Sequence, residues 1–266
     1  MKNRTITLSN GKTVEQPRSH KLAVCILLLA ALALSVRVTG FQMSVLIRGG
    51  YRFFDILKQM VPPDIDYLDH VWGPLFDTIK MSILGSAAGA VLAVPFSVLA
   101  SSNIVKNRGI IGAVRIFYSI VRTLPTLVTA LIATYIFGLG TFAGTIAIGV
   151  FTFSYVGKLL YEQIETVDMG AYEAMEALGA DRFHAFLYSV VPQILPGYIS
   201  NCLFCFEGNV RYAAILGYVG AGGLGLIINE KVGWREYDKV GMILVTLFGA
   251  VVIIEFISHQ IRKRLT

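Results

Sequence analysis

Charged residues are scarce in this chain, and that scarcity excludes most soluble folds. Only 15% of the 266 residues are charged, whereas 55% are hydrophobic, and the mean hydropathy is +0.65. A soluble domain of this length needs more polar surface to face water. The apolar residues are also clustered rather than spread evenly. The composition therefore indicates a membrane protein.

Cysteine and histidine are too few and too scattered to build a metal site. The three cysteines, Cys25, Cys202 and Cys205, fall within or beside apolar stretches, and this placement is typical of buried free thiols. The four histidines stand far apart in the sequence and form no ligand set. We therefore expect no metal ion to be held by this chain.

Nucleotide-binding and hydrolase motifs are missing as well. Gly157-Lys158 resembles the end of a phosphate-binding loop, but Thr152 and Leu159 stand where that motif needs Gly and Ser or Thr. Gly220 to Gly225 formally matches Gly-x-Gly-x-x-Gly, yet it lacks the context and the following acid of a dinucleotide site. Hydrolase signatures are absent. We therefore expect neither catalysis nor a bound cofactor in this chain.

Six apolar stretches are each long enough to cross a hydrocarbon core about 30 Å thick. Arg37 shortens the first, which also resembles a signal-peptide core, but no small-residue cleavage site follows cleanly, so a retained span is favoured. We predict an all-α membrane protein with six spanning helices. The stretches are 22–39, 77–100, 116–138, 141–160, 193–215 and 239–259.

Basic residues favour one orientation of these spans. They cluster before the first span, between the second and third, and at the end of the chain. With six spans all three clusters fall on one side, which the positive-inside rule makes the cytoplasm. Both termini are thus predicted to be cytoplasmic tails, over residues 1–21 and 261–266. The clustered residues are Lys2, Arg4, Lys12, Arg18, Lys21, Lys106, Arg108, Arg115, Arg262, Lys263 and Arg264.

The net charge of +6 is explained by this topology, and no basic face with interleaved aromatics indicates nucleic-acid binding. Residues 41–58 mix apolar and charged side chains, which predicts an amphipathic segment at the outer interface that ends before Pro62-Pro63. A plain connecting loop is the alternative, because the apolar spacing is imperfect. The first span and this segment make a region over residues 22–75, ahead of a core over 76–260.

Glycines are concentrated just beyond the fifth predicted span. The run from Gly217 to Gly225 cannot hold a stable helix, so we expect it to break the chain. Irregular backbone at this depth is tolerated where it is buried in protein or lines a water-filled cavity, where its amides could bind an anion. A flexible outer loop is the alternative. Gly220, Gly222 and Gly223 are therefore candidates for a solute path.

Ionisable residues in the fifth span are further candidates, because such groups are costly in a membrane and are usually functional or paired. Glu207 and Arg211 are one helical turn apart and are expected to pair on one face, whereas Asn209 faces another side and is also a candidate for the solute path. The pair is either structural, or Arg211 lines a path and attracts an anionic solute. Arg122 is interpreted as a snorkelling anchor at the cytoplasmic entry of the third span.

A polar loop over residues 161–192 stands between apolar stretches. Gly179 predicts a turn between two short helices, and Asp168 is placed to cap the first of them. Met175 and Leu178 belong to an apolar stripe along this loop. A helix–turn–helix with one apolar face on the cytoplasmic side must bury that face, so we expect a partner protein there.

This loop resembles the coupling loop of permease subunits in bacterial ATP-driven importers. The family pattern is Glu-Ala-Ala, three residues, Gly, nine residues, then Ile-x-Leu-Pro. Four positions match it: Glu173, Ala174, Gly179 and Pro192. Three depart from it: Met175, Ser189 and Val191. These replacements alter packing more than the turn.

A longer run, Phe206 to Gly225, looks like the permease of the phosphonate uptake system, as do Arg122-Thr-Leu-Pro125, Gly138 to Gly144 and Gly157-Lys158-Leu159. The resemblance implies a type I ABC importer permease fold and a homodimer in the bacterial cytoplasmic (inner) membrane. It further implies two copies of an ATP-binding subunit, which hold ATP and Mg²⁺, and a periplasmic or external solute-binding protein. The coupling residues would be Glu173, Ala174, Met175, Leu178 and Gly179.

The resemblance points to a phosphonate, a phosphite or a related phosphorus oxyanion as the solute. Two other functions are weighed against it from the residues. An ion-coupled secondary transporter of a small anion needs polar groups in several spans to bind its coupling ion, and few are found. A membrane enzyme needs clustered catalytic groups, and the sequence offers none.

Overall fold

The computed structural model describes residues 5–7, 11, 13–15 and 21–265 of the chain. Most of the predicted N-terminal tail, with its basic residues Lys2, Arg4, Lys12 and Arg18, lies outside these ranges. Contacts between Cα atoms divide the chain into two compact units, Met1–Asp55 and Ile56–Thr266.

The first unit contains a short hairpin and an apolar helix. Strands β1 (Thr5–Thr7) and β2 (Thr13–Glu15) pair antiparallel. Helix α1 (Lys21–Val38) has 18 residues, which corresponds to roughly 27 Å, and its length and apolar composition suit a membrane span. Helix α2 (Met43–Gln59), which begins in this unit, has one strongly apolar face. The amphipathic helix predicted before Pro62-Pro63 is therefore confirmed, and the plain loop is not.

The second unit is a bundle of helices. Five helices of the described chain are long and apolar enough to cross a membrane, or six if the bent pair α4–α5 counts as one span, which confirms the predicted all-α membrane fold. The helices after α2 are α3 (Leu68–Ala100), α4 (Arg108–Thr123), α5 (Thr126–Phe137), α6 (Thr141–Thr166), α7 (Gly170–Ala177), α8 (Arg182–Ala185), α9 (Val191–Leu216), α10 (Leu224–Trp234) and α11 (Tyr237–Leu265).

The third predicted span, 116–138, is not a straight helix. Helices α4 and α5 meet at 87° across the Leu124-Pro125 step. A proline disfavours the helical conformation in the residue before it, and Leu124 is accordingly extended, with φ −75° and ψ 117°. The prediction of one continuous helix over this stretch was wrong, because average hydropathy does not detect the bend at Leu124-Pro125.

Two further boundaries differ from the prediction. Helix α10 follows the glycine run, where only a break was predicted. Helix α11 continues through Leu265, so the predicted tail over residues 261–266 is helical up to that residue. The three thiols were predicted to be buried. Cys205 is buried and Cys202 half-buried, but Cys25 is exposed.

Helices α3 and α6 approach each other through small residues. A Cβ atom at Gly85 would lie 2.7 Å from the carbonyl oxygen of Thr145, and one at Gly89 would overlap the carbonyl oxygen of Gly149. Such contacts leave room only for glycine, as is common where membrane helices pack closely. This contact fixes α6, which carries side chains toward both candidate sites.

Candidate functional site

Helices α7 and α8 and the turn between them form a helical hairpin over residues 168–190, called the knob below. The backbone N–H of Gly179 donates to the carbonyl of Glu176 (3.0 Å), and that of Ala180 donates to Met175 (3.0 Å). These two bonds form a Schellman motif, which needs a left-handed residue after the helix. Gly179 supplies it with φ +91°. The predicted turn at Gly179 is confirmed.

The base of the knob is buried against α6 and α9. Its inward side chains Tyr172, Ala185 and Val190 pack with Leu160, Ile164 and Ile194. Burial contributes to raising the pKa of the Tyr172 hydroxyl. Met175 is partly buried against the same cluster, so this predicted coupling residue supports the knob from inside.

Two polar side chains secure the start of the knob. The carboxylate of Asp168 accepts a hydrogen bond from the backbone N–H of Gly170 (2.9 Å), but Met169 is the N-cap residue of α7, so the predicted cap is wrong by one position. The side-chain amide of Gln193 donates to the carbonyls of Asp168 (3.1 Å) and Ser189 (2.8 Å). Because Gln193 lies in α9, the knob and α9 are held together.

The tip of the knob is exposed and apolar. Leu178 is 88% exposed and Phe183 is 67% exposed. Glu173, Ala174 and Gly179 are exposed beside them. Four of the five predicted coupling residues are therefore accessible, and their role in coupling stays a prediction. A contact with His184 lowers the pKa of Asp181 on the same tip.

A polar network that the sequence did not predict ties the end of α6 to α3 and α4. The carboxylate of Glu165 accepts hydrogen bonds from the backbone N–H of Ser102 (2.8 Å), from its hydroxyl and from the guanidinium of Arg115. Arg115 also donates to the carbonyl of Ala100 at 3.0 and 2.8 Å. Arg115 and Glu165 are 50 residues apart, and no local pattern pairs them. This network stands three residues before the knob.

Glu207 and Arg211 do not pair with each other, so that prediction is wrong. Glu207 is only 5% exposed and accepts a hydrogen bond from the guanidinium of Arg262 (2.9 Å). Arg211 is half exposed and approaches the carboxylate of Glu255 at 3.9 Å. Helix α11 packs against α9 and supplies both partners, which a pattern within α9 cannot reveal.

Asn209 lies at the centre of the bundle. Its side-chain amide donates to the hydroxyls of Ser86 (2.8 Å) and Thr152 (2.9 Å), so it links α9 to α3 and α6. The side chain is 1% exposed. It faces away from the exposed Arg211, as predicted. These bonds account for an asparagine here, and its place on a solute path stays a prediction.

The glycine run breaks the helix as predicted, and it is not a flexible outer loop. Gly220, Gly222 and Gly223 have φ of +78°, +83° and +69°. Gly222 and Gly223 are buried, and the N–H of Leu224 donates to the Thr78 hydroxyl (2.8 Å). The three glycines thus fill the junction with α3 and the start of α6, and their place on a solute path stays a prediction.

A groove of about 450 Å³ lies between α6 and α9. Arg211 lines it, together with Glu207 and the aromatic side chains Phe151, Tyr155 and Tyr212. An exposed guanidinium above aromatic walls can attract an anion while the walls exclude bulk water. Of the residues predicted for the path, Glu207 and Arg211 reach this groove.

Comparisons with known proteins agree with this architecture. Residues 85–266, more than half of the chain, match the family described as binding-protein-dependent transport system inner membrane component. HtxC of Stutzerimonas stutzeri, a permease protein assigned to phosphite transport, is 30% identical over 97% of this chain and 91% of its own length. PhnE of Mycolicibacterium smegmatis, a phosphate-import permease protein, is 32% identical over 79% of this chain and 40% of its own length.

A solved structure identifies the fold. A chain of the MetNI methionine ABC transporter, in an inward-facing conformation, matches with a TM-score of 0.68 at 23% identity, over 76% of this chain and 99% of that chain. The fold is therefore that of a type I ABC importer permease, which crosses the inner membrane several times. This chain belongs to the family of binding-protein-dependent transport system inner membrane components, as a translocation subunit.

Proposed function

We propose that this chain is the permease subunit of an ATP-driven importer for a small phosphorus oxyanion, such as phosphite, a phosphonate or phosphate. The relatives assigned to phosphite transport and phosphate import support this solute class. These solutes share a phosphorus atom that carries negatively charged oxygens. Arg211 on the groove between α6 and α9 offers the cation that such a solute needs.

The exposed apolar tip of the knob carries the mechanical part of this proposal. Leu178 and Phe183 are large, apolar and exposed outside the spanning helices. An apolar surface of this kind marks a protein–protein contact. We assign it to a separate ATP-binding subunit, present in two copies that hold ATP and Mg²⁺, while two copies of this chain form the membrane part. An external solute-binding protein delivers the solute.

The knob and the termini are assigned to the cytoplasm. Arg115, one of the basic residues that predict the cytoplasmic side, contacts Glu165 just before the knob. The knob and this basic cluster therefore share one side of the bundle, which supports the positive-inside assignment. An ATP-binding subunit acts from the same compartment.

The packing and hydrogen bonds at the base of the knob support a route from the ATP-binding subunit to the solute path. Buried Tyr172 and the Gln193 hydrogen bonds hold the knob to α6 and α9. These two helices also line the groove that contains Arg211. When the ATP-binding subunits close, a displacement of the knob therefore moves the groove walls and exposes the groove to one side of the membrane at a time.

The test is solute uptake into proteoliposomes that contain the complex purified from native membranes, with the co-purifying chains identified. Radiolabelled phosphate and phosphite are supplied with the solute-binding protein, and ATP is trapped inside or omitted. We expect uptake only with the ATP-binding subunit and ATP. An ion-coupled secondary transporter would still work without that subunit, and such a result contradicts the proposal.

The substitution Gly179→Trp tests the coupling role. We expect this chain to fold normally, because a Cβ at Gly179 meets no atom within 4 Å, while a bulky residue on the tip disturbs the contact with the ATP-binding subunit and cuts ATP-driven uptake by tenfold or more. A side chain at positive φ also costs about 1–2 kcal/mol. Gly179→Asn controls for this strain, because asparagine tolerates the left-handed turn.

A second control, Gly233→Trp, adds the same bulk in α10, where a Cβ also meets no atom within 4 Å. This variant should transport normally. Uptake by Gly179→Trp equal to that of Gly233→Trp would remove the assignment of the knob to the ATP-binding subunit.

A further inference from the structure

Arg122 lies at the end of α4, directly before the bend within the third predicted span, and its interpretation as a snorkelling anchor stays a prediction. It lies in the last turn of α4, beside Phe151 and Ser154 in the middle of α6. The 87° bend between α4 and α5 follows directly, so the chain turns after Arg122 and leaves a space beside it. That space is a cavity of about 150 Å³.

The cavity is lined by one cation and several hydroxyl groups. The hydroxyl-bearing side chains come from the first turn of α5 and from α6, and they are Thr126, Thr129, Ser154 and Tyr155. Arg122 is exposed, and no carboxylate in residues 21–265 forms an ion pair with it. Within the same residues, the hydroxyls of Thr126 and Tyr155 make no hydrogen bond. The cavity therefore offers donors that have no acceptor in the described chain.

The backbone adds to this positive character. Helix α5 begins at Thr126 after Pro125; the N–H groups of Val128 and Thr129 donate to the Pro125 carbonyl, whereas those of Thr126 and Leu127 have no partner within the helix. They contribute a partial positive charge at the cavity wall. The effect is secondary to the full charge of Arg122.

The cavity adjoins the groove that contains Arg211. Phe151 and Tyr155 line both spaces, so their side chains form a common wall. The ring of Phe151 also contacts that of Tyr212 on the groove side, with centroids 6.2 Å apart. Arg122 and Arg211 thus stand on opposite sides of one aromatic wall.

We propose that the cavity at the α4–α5 bend is an anion-binding site, in which Arg122 and the surrounding hydroxyls hold the solute across the Phe151–Tyr155 wall from Arg211. The identity of the solute as a phosphorus oxyanion rests on the proposed function, whereas the site itself rests on the cavity and its donors. A guanidinium binds two oxygens of such an anion at once, and the hydroxyls donate to the others. The volume equals that of roughly five water molecules, which suits phosphite or phosphate.

The first test measures the charge in the cavity without relying on transport. In the assembled complex, Thr129→Cys is treated with an anionic and a cationic methanethiosulfonate reagent, and labelling of the native cysteines is subtracted. We expect the anionic reagent to be favoured, and Arg122→Gln to lower that preference about tenfold. Phosphite or phosphate should slow the labelling, while the larger phenylphosphonate should not.

Lys158→Gln is the matched control. Lys158 lies one turn after Ser154 on α6, but its ammonium pairs with Glu162 at 3.3 Å and it does not line the cavity. This variant should leave the reagent preference unchanged. No labelling of Thr129→Cys, no change with Arg122→Gln, or no protection by either anion overturns the site.

The second test is uptake by the reconstituted complex. We expect Arg122→Gln to reduce phosphite uptake about ten- to hundredfold, which corresponds to the loss of a charge-assisted hydrogen bond, and Arg122→Lys to restore part of it. Normal uptake by Arg122→Gln overturns the site while the proposed function stands. If the wild-type complex imports no phosphorus oxyanion but an anion still protects Thr129→Cys, the proposed function fails and the site stands.

Discussion

Two of the breaks between helices of the second unit have opposite consequences. The break at Leu124-Pro125 leaves a cavity lined by a cation and hydroxyls. The break over residues 217–223 leaves no space, because its glycines are covered by neighbouring backbone and side chains. The first changes the direction of the chain by 87°, whereas the second brings α10 back against the end of α9.

The difference follows from the two residue types. Proline forces the preceding residue out of the helical conformation and has no N–H, so it creates a bend with unsatisfied groups. Glycine has no Cβ, so the backbone on both sides of the break can come into contact. A break made by proline therefore provides a site for a ligand, and one made by glycine provides packing. Four predictions, including the Arg122 tests above, depend on this contrast.

The largest effect is expected for Gly217→Ala, at the glycine break. Gly217 has φ −61°, so alanine suits its backbone conformation, but a Cβ there would overlap the backbone of Gly225. Overpacking of this kind costs about 3 kcal/mol or more when backbone must shift. We expect little folded complex, measured as the monodisperse fraction in detergent and its midpoint of thermal unfolding.

Gly112→Ala is the matched control for that substitution. Gly112 lies in α4, and a Cβ there meets no atom within 4 Å. Alanine favours a helix over glycine by about 1 kcal/mol, so this variant should be at least as stable as the wild type. Equal stability of the two alanine variants would mean that the glycine break is not close-packed.

An intermediate effect is expected for Arg211→Ala, in the groove that adjoins the proline break. Removal of this cation should lower phosphite uptake about fivefold, which is the effect expected from losing one charge–charge interaction near water. Glu255→Gln, which removes the carboxylate 3.9 Å from Arg211, should not lower uptake. Normal uptake by Arg211→Ala would restrict the residue to a structural role.

The smallest effect is expected for Pro125→Ala, at the proline break itself. The α4–α5 bend is also held by packing, since Tyr118 in α4 is buried between α3 and α6. Loss of the proline should therefore cost only about 0.4–1 kcal/mol of stability, mainly through greater freedom of the unfolded chain. Thermal unfolding measures this change. A loss as large as that of Gly217→Ala would contradict the contrast between the two breaks.

Features with a local cause could be predicted from the sequence, whereas features that need a distant partner could not. The spans depend on continuous apolar stretches, and the Gly179 turn depends on one residue that accepts positive φ. The partner of Glu207 is Arg262, 55 residues later, so the pairing with Arg211 was wrong. The contact between Arg115 and Glu165 was not predicted for the same reason.

The candidate site was predicted in part. Glu173, Ala174 and Gly179 could be named as coupling residues because they follow a pattern, and that role stays a prediction, whereas the inward position of Met175 depends on how the knob packs on α6 and α9. Pro125 was visible in the sequence, yet its effect on Arg122 depends on which helix lies beside the bend. The position of Arg122 relative to a neighbouring helix depends on how the helices pack in the folded bundle.

Asn209 has a mechanical consequence. Its amide bonds to Ser86 and Thr152 tie α3, α6 and α9 at one point that is closed to water. Separating these three helices at this point would leave buried polar groups without partners, so we expect the helices to stay together here. We therefore expect the conformational changes of a transport cycle to occur at the Leu124-Pro125 bend and where α3, α6 and α9 contact the other helices.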